Sequence, residues 1–142
     1  MDKLLLNKKL DDLINLLMTG GVQPGELADN IFLQPYVQIT YKKVSGGVVG
    51  ELHFKEDAND KHGLTILRYL YSDDKKVYRI EEELGGIKTI LWDREFEEMA
   101  ILDQVLQIMR GLYSPSQIEG FTSTLPCHLS EYAKDKFKDI AS

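Results

Sequence analysis

The sequence predicts an α+β fold: a five-stranded antiparallel meander sheet with an N-terminal helix and two C-terminal helices packed on one face. Three observations carry this. Five segments between residues 36 and 92 have strand character and are joined by short turns. The stretches at both ends show the apolar spacing of amphipathic helices. The run from Ile87 to Tyr113 passes directly from a strand into the strongest helix of the chain, and such a helix needs another layer to cover.

Residues 2–19 place Leu6, Leu10, Leu13, Ile14, Leu17 and Met18 on one helical face, with Lys9, Asp12 and Asn15 opposite. Gly20-Gly21 supplies the stop, since glycine accepts the left-handed conformation at a helix end. Val22 to Pro35 reads as a connection with a Pro24-Gly25 turn, and residues 26–33 have room for a short helical turn. Tyr36–Val44 then alternates, Val37, Ile39 and Tyr41 against Gln38, Thr40 and Lys42. Ser45-Gly46-Gly47 turns the chain into Val48–Lys55, with Leu52 and Phe54 on one side and Glu51 and His53 on the other. Leu64–Tyr71 is apolar on both sides apart from Thr65 and Arg68, the pattern of a central strand. Lys76–Leu84 and Ile87–Trp92 flank Gly85-Gly86, a two-residue hairpin turn.

In the helix that follows, Ile101, Val105, Ile108 and Leu112 form one apolar row. Leu102, Leu106, Met109 and Tyr113 form a second beside it. Asp93 is placed to cap its first turn, and Glu95, Glu97 and Glu98 sit at the positive end of its dipole. Residues 114–128 read as loop. Ser130–Ala141 reads as a last short helix packing through Tyr132, Ala133, Phe137 and Ile140.

The bulk properties narrow the function more than they define it. A chain of 142 residues fits a single domain. With 43% hydrophobic and 28% charged residues it has the material for a core without metal or disulfide. One cysteine excludes an internal disulfide and suits a reducing, cytoplasmic setting. No apolar run approaches the roughly 20 residues needed to span a bilayer, so no membrane partner is expected. The net charge of −6 is spread along the chain, and no block of Lys and Arg gathers to hold a phosphate backbone, which disfavours nucleic acid.

Candidate chemistry is sparse. Cys127-His128 pairs a thiol with an imidazole, but neighbours in sequence do not normally face one another, and a partly buried loop thiol is the simpler reading. The stretch Glu56-Asp57-Ala58-Asn59-Asp60-Lys61-His62-Gly63 offers oxygen ligands and an imidazole for a divalent metal. Lys61 stands where a calcium loop of the EF-hand type needs an oxygen, so a solvated hairpin loop is preferred. In Glu81-Glu82-Glu83, strand alternation puts Glu81 and Glu83 on one face, as a solvated edge or a landing site for a basic partner. Tyr36, Tyr41, Tyr69, Tyr71, Tyr78 and Trp92 all fall in strands, where core packing is the leading explanation and an exposed binding surface the other. No phosphate loop, GxSxG elbow, HExxH pair or dinucleotide fingerprint occurs.

The chain order is similar in outline to frataxin-like and secretion-chaperone architectures. No motif accompanies that order, and the first helix lacks the acidic ridge of frataxins. The sequence therefore points to a small acidic protein-binding module, such as an adaptor, inhibitor, immunity-type protein or chaperone. No catalytic residue, metal ligand or cofactor is assigned. The expected partner is another protein, and the acidic charge suits one with a basic surface. The expected contact residues are Gln38, Thr40, Glu51 and His53, on the face away from the helices, together with Glu81 and Glu83 of the acidic edge. A second reading is a small-molecule-binding protein or enzyme with a pocket between sheet and helices, using Tyr41, Glu51, His53 and His62. A third is a homodimer through the Leu6-Leu10-Leu13-Leu17 row of the first helix.

Overall fold

The computed structural model describes residues 2–55 and 63–141, with side chains as far as Lys136 in the last helix. Helix α1 is Asp2–Met18 and α2 is Pro24–Ala28, followed by a 3-10 turn, Asp29–Phe32. Five strands come next: β1 Tyr36–Val44, β2 Gly47–Phe54, β3 Thr65–Ser72, β4 Val77–Leu84 and β5 Ile87–Asp93. Helices α3 (Arg94–Arg110), α4 (Pro115–Thr122) and α5 (Cys127–Ala141) complete the chain. The strands form one sheet in the order β1-β2-β3-β4-β5, antiparallel throughout. This is the α+β meander the alternation predicted, with each strand end within one residue of its expected place.

By packing, the chain divides into two compact units: Thr19–Arg94, and the residues up to Met18 together with those from Glu95 onward. In the sheet unit, one face is apolar. Leu52, Tyr71 and Val77 are buried there, with Ile39, Val48, Leu67, Tyr69, Ile80 and Trp92 around them. The cover within this unit comes from the connection after α1, through Val22 and the buried Leu27 of α2.

Hydrogen bonds stitch that connection down. Tyr71 donates its hydroxyl to the Val22 carbonyl at 2.8 Å and Tyr41 donates to that of Pro24 at 2.5 Å. Gln23 Nε2 donates to the Lys75 carbonyl at 3.0 Å, and the Val77 N–H donates to that of Gly20 at 2.9 Å. Close approach explains Gly47: a Cβ there would lie 1.8 Å from the Tyr71 carbonyl oxygen. At the β4–β5 hairpin, Gly85 and Gly86 take φ of 58° and 80°, values that carry a penalty for other residues.

The second unit has its own core. Leu6 and Leu13 of α1 are buried with Leu102, Val105, Leu106 and Met109 of α3, Ile118 of α4, and Leu129 and Ala133 of α5. Leu10 and Leu17 pack on that cluster, so the leucine row considered for dimerisation turns into the helices of its own unit. One helix went unread in the sequence: residues 114–128, expected as loop, contain α4. Its signal is a capping box: the Gln117 N–H donates to Ser114 Oγ at 3.3 Å, and the Ser114 N–H donates to Gln117 Oε1 at 2.9 Å. Pro115 fits the first helical turn, where no N–H is needed. The last helix likewise starts earlier than expected, at Cys127.

Candidate functional site

The face of the sheet opposite Tyr69 and Tyr71 is polar, and cross-strand register explains how it is assembled. Thr40 pairs with Glu51, Glu51 with Arg68, Arg68 with Glu81, and Glu81 with Ile90, so one rung crosses all five strands. A second rung runs Gln38, His53, Ile66, Glu83, Lys88. The six expected contact residues, Gln38, Thr40, Glu51, His53, Glu81 and Glu83, therefore stand together on two adjacent rungs. Val37, Tyr78 and Leu91 are the extra residues at three register shifts; the shift at Tyr78 lies between the β3–β4 turn and these rungs, and the other two lie just outside them.

Arg68 is the centre of the charge pattern. Its Nε lies 3.3 Å from Glu51 Oε2, and its Nη2 donates to Glu83 Oε2 at 3.4 Å. Its Nη1 is buried without a hydrogen-bond partner among the described residues. His53 Nε2 lies 3.6 Å from the same Glu51 oxygen. Arg79 forms the neighbouring group: Nε donates to Asp93 at 3.0 Å and Nη1 lies 3.9 Å from Glu81. These side chains are between 19% and 38% exposed, which places the network at the surface with its stems covered. Individual pairs of this kind contribute up to about 1 kcal/mol each, so the network fixes side-chain geometry more than it adds stability.

Two expectations about the acidic run change. Glu81-Glu82-Glu83 is not a sheet edge, because β4 pairs with β3 on one side and β5 on the other. Nor is it a bare acidic strip, since Glu81 and Glu83 already have arginine partners. Glu82 takes the other face, opposite Leu67 and Thr89, as alternation required.

No family model, curated protein or solved structure matches this chain.

Of the described groups named for a pocket, only Glu51 and His53 come together, 3.6 Å apart. Glu51 and His53 lie on the polar face, whereas Tyr41 is on the other and donates to Pro24. Residues 56–62 of the 56–63 loop considered for metal, His62 among them, lie outside the described residues. A depression of about 430 Å³ in the sheet unit is lined by Gln23, Pro24, Gly47, Val48, Tyr71, Ser72, Asp73 and Lys75, none of which was on the pocket list. Among the described residues no three His, Cys, Asp or Glu side chains are grouped to hold a metal ion. Among them too, no helix is long and apolar enough to cross a membrane.

Cys127 and His128 part company at the start of α5. The exposed Cys127 thiol faces Glu131 Oε1 at 3.7 Å, while His128 Nε2 is 2.7 Å from Glu98 Oε2. A thiolate–imidazole pair is therefore not assembled here. The Glu98 carboxylate is 6% exposed, so His128 supplies the polar contact that a buried acid requires.

The strand aromatics mostly follow the packing explanation. Tyr36, Tyr69, Tyr71 and Trp92 belong to the sheet's apolar cluster, and Tyr36 stacks at a tilt on Phe54 with centroids 5.5 Å apart. Burial pushes the Tyr69 and Tyr71 hydroxyls above their ordinary range, and neighbouring tyrosines add to the shift. Tyr41 and Tyr78, the latter at its bulge, are the exposed members of the set, at 38% each. Sequence reading missed Arg94, which is buried. It donates from Nε to the Val77 carbonyl at 2.6 Å and lies over the Trp92 ring at 5.3 Å.

Proposed function

We propose that this protein is a binding module for another protein and that the polar face of the sheet is its contact surface. The observation that supports this reading is the in-register assembly of Gln38, Thr40, Glu51, His53, Glu81 and Glu83 around Arg68. A partner there meets a mixed-charge surface whose charged donors and acceptors are held in place by one another. Such pre-ordering lowers the side-chain entropy lost on association. Because Glu81 and Glu83 are already paired, complementarity on this face favours a partner with both signs of charge over a purely basic one.

The test is affinity capture from the native host with the wild type and with a Gln38→Arg, Thr40→Arg variant. Both positions are exposed and belong to neither arginine network, so the fold is retained. A protein captured by the wild type and lost with the variant supports the reading. Capture that ignores the two substitutions contradicts it.

A further inference from the structure

Among the described residues, the outer side of β1 is the longer regular edge of the sheet. After the bulge at Val37, the strand runs regularly from Gln38 to Val44 and pairs only with β2. In an antiparallel pair, alternate residues turn both N–H and C=O away from the partner strand, so this edge presents a row of backbone donors and acceptors. The opposite edge is less suited, because Leu91 bulges in the middle of β5 and leaves a regular run of only Ile87 to Ile90.

Two further features sit on the β1 edge. From Asn30 to Gly50 the only charged residues are Lys42 and Lys43, in a chain whose net charge is −6. Both lysines are exposed, and neither has a carboxylate partner among the described residues. At the strand's start the 3-10 turn abuts β1 and presents Phe32, 87% exposed, with Leu33 and Val37 beyond it. An exposed phenylalanine beside an unpaired strand is an anchor for another chain.

We propose that β1 receives an extended, acidic segment of the partner as an added sixth strand, with its carboxylates on Lys42 and Lys43 and an apolar side chain against Phe32. This rests on the protein-binding reading above and names how the partner docks: Gln38 and Thr40 belong to both the polar face and this edge. Backbone pairing supplies the affinity and the two lysines the preference for acid.

The probe is a displayed library of random nine-residue peptides, panned on the full chain, with hydrogen exchange read on the complex. The expected result is enrichment of Asp and Glu, and at least a tenfold slowing of alternate β1 amides when the peptide binds. Peptide affinity should fall at least tenfold in Lys42→Glu, Lys43→Glu and, separately, in Phe32→Ala. No enrichment, enrichment without acidic excess, or binding indifferent to these variants overturns the proposal. So does a dimer whose β1 amides are already slow, because a second copy then holds the edge. Slowing confined to Glu51, Arg68 and Glu81 would defeat strand addition and leave the polar-face reading standing. A captured partner that responds to neither set of substitutions defeats both.

Discussion

Arg68 shows how one side chain can organise a surface. It sits between Glu51 and Glu83 on the middle strand, and its removal leaves both carboxylates without their shared donor. We expect Arg68→Met to lower stability by about 1–2 kcal/mol in urea unfolding, from lost charged hydrogen bonds at a partly covered site. Arg79→Met, at a more exposed pair, should cost under about 1 kcal/mol. Equal losses from the two would show that Arg68 has no special place. Tyr71 makes a pH-dependent prediction. Burial holds its folded pKa above the ordinary 10.0, so the neutral phenol is favoured in the folded state. That contribution is complete below the ordinary value and is lost as pH rises through the raised one. Stability should therefore fall as pH climbs past about 10, and Tyr71→Phe should soften that fall. Tyr71→Phe also gives up the bond to Val22, about 1 kcal/mol measured at neutral pH. An unchanged alkaline limb in the variant would assign the effect to other tyrosines.

Helix α4 makes the corresponding prediction for an element. Its capping box is fully formed, so Ser114→Ala should cost about 1 kcal/mol and release the amide of Gln117 to faster exchange. No change in either would mean that packing of Ile118 alone holds the helix. The same helix shows the reach of sequence reading. Strands were legible because a period of two, broken by Gly-Gly or Ser-Gly turns, has few competing explanations. Residues 114–128 were not, because Pro115, Gly120 and several serines resemble a loop until Ser114 and Gln117 are read as a reciprocal cap. Glu81 to Glu83 fell between these cases. Alternation placed their faces correctly, but whether β4 was an edge depended on strand order. The Arg68 network was hidden for a related reason: the pairing of Arg68 with Glu81 depends on the bulge at Tyr78, between the β3–β4 turn and the rungs.

For the molecule as a whole, the consequential feature is that the terminal helices and the sheet have separate buried clusters. That division is not legible from residue spacing, since the apolar rows of α1 and α3 fit a sheet or other helices equally well as partners. Leu102 is fully buried in the helical cluster. Leu102→Ala should cost about 2–5 kcal/mol and accelerate amide exchange in α1, α3 and α4 ahead of the strands. Uniform acceleration across helices and strands would mean the two clusters open as one. The functional reading concerns only the sheet unit, whose apolar side is occupied by Val22 and Leu27 and whose polar side carries the charge network. The most direct measurement is a map of backbone amide shifts in the full chain, titrated with the protein recovered from its host. The largest changes should fall on Gln38, Thr40, Glu51, His53, Arg68, Glu81 and Glu83. Changes concentrated in the helices, with these seven unmoved, would contradict it.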